Sequence, residues 1–173
     1  GLIDMPYGDY DGDRLDFFPT VHPTSPLLVF IHGGYWRSLD KSDFSWIAPP
    51  FLDAGVAVAL LNYGLAPSVA VEDIVRQQLK ALAWLYTRAE ELGFDRQRIV
   101  VSGHSAGGHL TAMMMAASWP ALDPALPADL VKGGLAISGL YDLEPLVPLP
   151  FINADLKLDV AGARKVLPVR LPP

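Results

Sequence analysis

The sequence predicts an α/β protein with a doubly wound, mostly parallel β-sheet. Three apolar segments, residues 27–31, 56–61 and 99–101, are short, continuous and bounded by glycine, proline or a charged turn, as is typical of strands buried on both faces. Segments with a helical pattern separate them. Because strands that alternate with helices form parallel βαβ units, we expect one sheet with helices on both faces.

Two shorter strands are expected outside this series. Residues 14–18 form a strand-like run closed by proline and are predicted to be an edge strand, and residues 133–138 supply another short strand. Residues 144–173 are rich in proline and contain one helical pattern, at residues 154–167. We interpret the chain as a single domain of this class.

The helices are predicted from periodicity and end signals. Apolar residues recur at three- and four-residue spacing over residues 71–92, with Gly93 just beyond, which predicts one long amphipathic helix. Residues 106–118 are almost wholly apolar, so we expect a helix that is buried on most sides. A weaker helical pattern covers residues 42–52, where two consecutive prolines bend or divide it.

Composition excludes several classes of function. The chain has 173 residues, 13 Lys plus Arg against 19 Asp plus Glu, a net charge of −6 and no cysteine. Such an acidic chain without a basic cluster is a poor partner for nucleic acid or an anionic membrane surface, and the lack of cysteine excludes disulfides, thiolate metal sites and a cysteine nucleophile. Since no apolar run approaches the ~18 residues of a membrane span, we expect a soluble protein, with the cytoplasm as the default location.

The first chemical signal is Gly103-His104-Ser105-Ala106-Gly107, a G-x-S-x-G motif between a buried strand and an apolar helix. In that setting the serine occupies a sharp, strained strand-to-helix turn, called the nucleophile elbow, and its hydroxyl projects at the carboxyl edge of the sheet. The helix N-terminus adds a positive field that suits a developing oxyanion. The alternative is a glycine-rich turn with a bystander serine, which this context disfavours. Ser105 is therefore the candidate nucleophile.

The second signal is His32-Gly33-Gly34-Tyr35-Trp36, directly after the strand at residues 27–31. Acyl transfer through a serine needs two N–H donors aimed at the tetrahedral oxygen, and a double glycine allows a loop backbone to turn inward and supply one. On its own, such a loop is more often only a tight turn. Its position about 70 residues before an elbow serine favours an oxyanion hole.

These two motifs resemble those of α/β-hydrolases of the hormone-sensitive-lipase-like group, and most closely the kynurenine formamidase (arylformamidase)-like esterases. The extended segment Gly103 to Leu110 (GHSAGGHL) and two others, residues 62–67 (NYGLAP) and 138–143 (SGLYDL), are typical of that group. The resemblance covers roughly residues 7–146 and implies an α/β-hydrolase sheet whose last strands are missing.

The resemblance also implies roles for individual residues. The oxyanion hole would comprise the backbone of Gly33, Gly34, Tyr35 and Ala106. Tyr35 and Trp36 would line the substrate pocket, while His32 braces the glycine loop and His104 stands beside the nucleophile, pointing away from it.

The base and the acid of a catalytic triad are not identified. In α/β-hydrolases the acid and then the histidine follow the nucleophile along the chain, and no histidine follows His109. His22 is expected on a surface loop far from the catalytic edge. His109, one helical turn after Ser105, and Asp142 are weak candidates for the histidine and the acid; a packed, hydrogen-bonded histidine and a loop-capping aspartate are the favoured alternatives.

Three functions stay open at this point. The first is a serine hydrolase that cleaves short-chain acyl or aryl esters through an acyl-enzyme on Ser105. The second is an arylformamidase that acts on N-formylkynurenine-like formamides. The third is a non-catalytic, shortened homologue that acts as a binding or oligomerisation module, since the last strand would leave an exposed sheet edge that favours pairing with another copy.

Small-molecule esters or amides are the expected partners, and no cofactor is implied. The acidic loop at residues 9–13 lacks the register of a calcium site.

Overall fold

The computed structural model describes residues 1–170, and these form one sheet of six strands. The spatial order is β1-β2-β4-β3-β5-β6. The strands are β1 (Leu2–Pro6), β2 (Arg14–Phe18), β3 (Ser25–Ile31), β4 (Ala57–Leu61), β5 (Phe94–His104) and β6 (Gly133–Ile137). Strands β3 to β6 pair in parallel, whereas β1 and β2 are antiparallel to their neighbours. The predicted mixed but mostly parallel sheet is confirmed.

The register of the central strands brings their carboxyl ends level. Ile31 at the end of β3 lies opposite Leu61 of β4 on one side and Gly103 of β5 on the other. The loop after β3 and the turn after β5 therefore emerge side by side at one edge of the sheet. This edge is where open α/β sheets bind their ligands.

Helices cover the two faces of the sheet unequally. The α-helices are α1 (Ala48–Asp53), α2 (Val71–Thr87), α3 (Ala89–Leu92), α4 (Ala106–Met115), α5 (Trp119–Leu122), α6 (Pro150–Leu156) and α7 (Val160–Lys165), and 3₁₀ turns span Lys41–Ile47, Glu144–Leu146 and Pro168–Arg170. Helices α2 and α4 pack with Val29 and Ile31 in the large core. The opposite face carries only a small cluster, in which Phe30, Val58 and Leu60 meet the turn Lys41–Ile47 and α1. Within residues 1–170 no helix combines the length and the hydropathy that a membrane crossing requires.

Three predicted elements need correction. Strand β2 is not an edge strand, because β1 pairs with its outer side. The helix expected over residues 71–92 is interrupted at Arg88, whose φ/ψ of −102°/11° separates α2 from α3. The helix expected over residues 154–167 is two short helices, because the Asn153 side chain bonds the Leu158 backbone and Lys157 adopts a positive φ.

Strand β6 ends the sheet, and the surface beside it is apolar. Leu135 and Ile137 expose 62% and 42% of their surface. They line a groove of about 620 Å³ on the thinly covered face, together with Phe30, Phe44, Trp46 and Phe51. Within the described part of the chain, β6 has no strand on its outer side, so the expected exposed edge is present there.

Candidate active site

Ser105 lies in a strained turn between β5 and α4. Its φ and ψ are 57° and −117°, a conformation that L residues adopt only at a cost of order 1–3 kcal/mol. The flanking glycines are required sterically: a Cβ on Gly103 would lie 2.2 Å from the Gly107 carbonyl oxygen, and one on Gly107 would lie 2.0 Å from the Ile31 carbonyl oxygen. The G-x-S-x-G spacing thus reflects a close crossing of β3, β5 and α4 directly beneath the serine.

The double-glycine loop lies directly against this turn. A Cβ on Gly33 would be 2.6 Å from the His104 carbonyl oxygen and 3.2 Å from Ser105 Cβ. Gly34, Tyr35 and Trp36 all have positive φ, of 104°, 50° and 57°. Among residues 1–170, the backbone N–H groups of Gly34 and Tyr35 donate to no other residue. The sequence therefore brings the two motifs into contact, with free backbone donors beside the serine.

The third free donor comes from α4. Ser105 directs its own N–H to the Ile137 carbonyl at 2.9 Å, so it is engaged with β6. Ala106, the first residue of α4, has an N–H without an intrahelical acceptor, as the first turn of any helix does. Free N–H groups of Ala106 and of the glycine loop thus lie on the two segments that meet at Ser105.

His32 braces the glycine loop from behind. Its ring is 1% exposed and stacks on Tyr63 with 4.2 Å between the ring centroids. The ring nitrogens lie 2.8 Å from the Gly33 carbonyl oxygen and 3.1 Å from Asn62 Oδ1, and burial lowers the pKa of this imidazole. The Tyr63 hydroxyl donates to the carbonyl oxygens of His32 and Gly33. Sequence reasoning had given Asn62 and Tyr63 no role, although the NYGLAP segment that contains them was noted.

Trp36 does not line a pocket, which corrects the sequence-based expectation. Its side chain is 0% exposed and lies within the large core, and its indole N–H donates to His109 Nδ1 at 3.3 Å. Trp36 also has a positive φ, of 57°. Tyr35 is 38% exposed and stays available to a substrate.

The structure does not bring a base to Ser105 from any of the four histidines. His109 is fully buried, with its Nε2 2.7 Å from the Val166 carbonyl oxygen and its Nδ1 accepting from Trp36. His32 is engaged as described above. His104 lines the apolar groove on the face of the sheet that α2 and α4 do not cover. His22 is exposed in the loop before β3. The weak candidacy of His109 as the base is therefore contradicted by its two occupied nitrogens.

Asp142 has a local structural role. Its Oδ1 accepts the Glu144 N–H at 3.0 Å, which caps the 3₁₀ turn Glu144–Leu146. Its side chain is exposed and contacts no histidine among residues 1–170. In the same described range, no cluster of three or more His, Asp or Glu side chains is arranged to hold a metal ion.

Comparisons with known proteins agree with this geometry. Residues 16–126 match the protein family described as BD-FAE. Kynurenine formamidase of Danio rerio is 30% identical over 171 residues, which cover 98% of this chain and 56% of the relative. Carboxylesterase NlhH of Mycobacterium tuberculosis is 35% identical over 116 residues, or 66% of this chain and 34% of the relative.

Solved structures extend the comparison to the fold. A crystal structure from Silicibacter sp., of a protein assigned as a thioesterase, superposes with a TM-score of 0.81 at 36% identity and covers 98% of this chain and 61% of that one. The chain thus spans little more than half the length of these longer relatives. With the elbow serine, the glycine loop and the sheet order in place, the resemblance predicted from the motifs is confirmed: the chain is an α/β-hydrolase and belongs to the BD-FAE family.

Proposed function

We propose that this chain carries the nucleophile and the oxyanion hole of a serine hydrolase that cleaves short-chain acyl or aryl esters. The observation that supports it best is the contact between Gly33 and Ser105, where a Cβ would be only 3.2 Å from the serine Cβ. This contact supports an oxyanion hole formed by free N–H groups of the loop and of α4. Carboxylesterase activity in a relative, NlhH, favours esters as substrates.

The chemistry divides between two groups of residues. Ser105 Oγ attacks the ester carbonyl carbon, and the resulting oxyanion accepts hydrogen bonds from Ala106 and from the loop of Gly33, Gly34 and Tyr35. Collapse of this tetrahedral intermediate expels the alcohol of the ester and leaves an acyl group on Oγ. Water then hydrolyses the acyl group and frees the serine. A base must take the Oγ proton first. Since all four histidines of the chain are placed elsewhere, we propose that this base comes from residues outside these 173, in the same polypeptide or in a partner.

The test is covalent labelling followed by intact mass spectrometry. In the longest polypeptide that contains this chain, a fluorophosphonate probe should add once to the wild-type protein, at Ser105, and not to the Ser105→Ala variant. Ser102→Ala is the matched control, because Ser102 is three residues away and its hydroxyl is already committed to the Leu135 carbonyl at 2.9 Å; it should label at the wild-type rate. Loss of labelling in Ser102→Ala but not in Ser105→Ala would reject the assigned nucleophile.

A second candidate is an arylformamidase. The kynurenine formamidase of Danio rerio aligns over 98% of this chain, which favours N-formyl aryl amides as the substrate. Turnover of p-nitrophenyl butyrate and of N-formylkynurenine by the longest polypeptide that contains this chain separates the two proposals. Wild-type protein that reacts with neither substrate nor the probe would support the third hypothesis, a non-catalytic module.

A further inference from the structure

A buried series of hydrogen bonds links the glycine loop to α4, the helix that directly follows Ser105. Trp36 donates its indole N–H to His109 Nδ1 at 3.3 Å, and His109 Nε2 meets the Val166 carbonyl oxygen at 2.7 Å. The Trp36 and His109 rings also make an edge-to-face contact, with centroids 5.2 Å apart at 78°. All three residues are at most 1% exposed, so water does not compete for these bonds.

These hydrogen bonds connect the glycine loop and the turn at Ser105 through few residues. Trp36 directly follows Gly34 and Tyr35, whose N–H groups have no acceptor among residues 1–170. His109 lies one helical turn after Ser105, and its own backbone N–H donates to the Ser105 carbonyl at 3.1 Å. Any movement of the His109 ring is therefore transmitted to the loop on one side and to the elbow on the other.

The loop needs such an anchor because its backbone is strained. Tyr35 and Trp36 are consecutive non-glycine residues with positive φ, which cost of order 1–2 kcal/mol each and persist only where surrounding contacts over-determine them. The Trp36 carbonyl is held by the Ala66 N–H at 2.8 Å, and the indole is held by His109. Without the second bond, Trp36 loses its side-chain anchor, and we expect the strained backbone of Tyr35 and Trp36 to relax and the loop N–H groups to shift relative to Ser105.

We propose that His109 is a positioning residue that sets the oxyanion loop against Ser105 by accepting the Trp36 indole N–H. The inference rests on the proposed function, because it gives the loop N–H groups a catalytic purpose. It also assigns a tautomer: Nδ1 accepts, so the proton is on Nε2 and points to Val166. This role requires no contact between His109 and substrate.

Two substitutions separate the two bonds of the imidazole. In His109→Asn the side-chain oxygen is two bonds from Cβ, as Nδ1 is, so the acceptor for Trp36 is kept and the Val166 bond is lost. In His109→Gln the amide nitrogen is three bonds from Cβ, as Nε2 is, so the donor to Val166 is kept and the Trp36 bond is lost. Trp36→Phe removes the same bond from its other end.

The experiment uses the longest polypeptide that contains this chain, because the proposed base lies outside these 173 residues. It measures the rate of fluorophosphonate labelling at Ser105 and the backbone ¹H–¹⁵N signals of Gly33, Gly34 and Tyr35. We expect His109→Gln and Trp36→Phe to shift the loop signals and to slow labelling at least about tenfold, since loss of one oxyanion donor costs ~10²–10³ in rate. His109→Asn should preserve the loop signals and most of the rate. This rescue is not expected from a residue that only fills space.

Ile99→Val is the control for general destabilisation. Ile99 is 0% exposed near the start of the core pairing of β5, about 20 Å from the elbow at ~3.3 Å per residue. The substitution costs ~0.5–1.5 kcal/mol but should leave both readouts unchanged. Labelling rates that follow the melting temperature across all variants, Ile99→Val included, would overturn the proposal.

The two proposals fail in different ways. If wild-type Ser105 does not label in that longer polypeptide, the hydrolase proposal fails, and the loop signals of the variants still decide the role of His109. If Ser105 labels but the loop signals are the same in His109→Gln, His109→Asn and wild type, the positioning role alone is rejected. Should a variant not fold, ¹⁵N spectra of the wild-type imidazole decide: a proton on Nδ1 contradicts the proposal and one on Nε2 supports it.

Discussion

Burial of His109 makes the stability of the fold depend on pH in a specific window. Burial lowers the pKa of this imidazole from 6.5 to about 4, and the Val166 carbonyl opposes the shift only in part. In the unfolded chain the ring binds a proton near pH 6.5, whereas in the folded chain it stays neutral until about pH 4. The unfolded state therefore binds more protons between these values, and the free energy of unfolding falls as the pH is lowered through them.

The magnitude follows from the two pKa values. At 1.36 kcal/mol per pH unit, the contribution of His109 decreases by ~2 kcal/mol between pH 7 and 5 and by ~3 kcal/mol between pH 7 and 4. With a urea m-value of ~1–3 kcal/mol/M for a protein of this size, the second figure moves the midpoint by roughly 1–3 M. Burial lowers the pKa of His32 as well, which adds loss of the same sign.

The measurement is urea unfolding from pH 7 to 4 in the wild type and in His109→Asn, which removes the titrating ring. The free energy of unfolding of the wild type minus that of His109→Asn isolates the contribution of His109. This difference should decrease by about 3 kcal/mol from pH 7 to pH 4. His22→Asn is the control, since His22 is exposed on a surface loop, and its curve should follow that of the wild type. Parallel curves for the wild type and His109→Asn would refute the reasoning, because they would show that His109 titrates alike in the folded and unfolded states.

Two further predictions test the packing beneath the serine and the open sheet edge. Gly107→Ala should lower the melting temperature and decrease the free energy of unfolding by more than ~1–3 kcal/mol, because its Cβ would lie 2.0 Å from backbone oxygen. Gly133→Ala should decrease the free energy of unfolding much less, because nothing lies within 4 Å of the Cβ position there. If β6 pairs with another copy, light scattering at rising concentration should show a species larger than 18.7 kDa, and Leu135→Lys should return it to the monomer. A monomer at every concentration in both proteins would reject edge pairing.

The central sheet and the elbow were predictable because their signals are local. A continuous apolar run bounded by glycine or proline marks β3, β4 and β5, and the steric need for glycine at 103 and 107 is reflected in the spacing around Ser105. The motif pair predicted that the glycine loop and Ser105 belong to one site, and the structure shows that they follow β3 and β5, parallel neighbours that end at the same edge. These predictions rest on rules about backbone geometry that hold in many sequences.

Other features depended on contacts that no local pattern reports. Strand β1 contains Asp4 and is exposed along much of its length; its pairing with β2 is supported by Lys41, which contacts both Asp4 and Asp16 at 2.7 Å. The inward turn of Trp36 depends on a partner 73 residues away, His109. The break between α6 and α7 depends on one side chain, Asn153, competing with the helical backbone.

The distribution of backbone strain supports a preorganised site even though no base from this chain reaches it. Ser105, Tyr35 and Trp36 all have positive φ and lie on the two segments that meet at the elbow. Strain of this kind persists only when other contacts hold it in place, and here they are the His32–Tyr63 stack, the Trp36–His109 bond and the glycine crossings beneath Ser105. None of them involves a triad base or acid. The proposed nucleophile and the proposed oxyanion donors therefore lie on segments that contacts within residues 1–170 hold in place. Under the proposed function, a base from elsewhere would meet a site already set for acyl transfer.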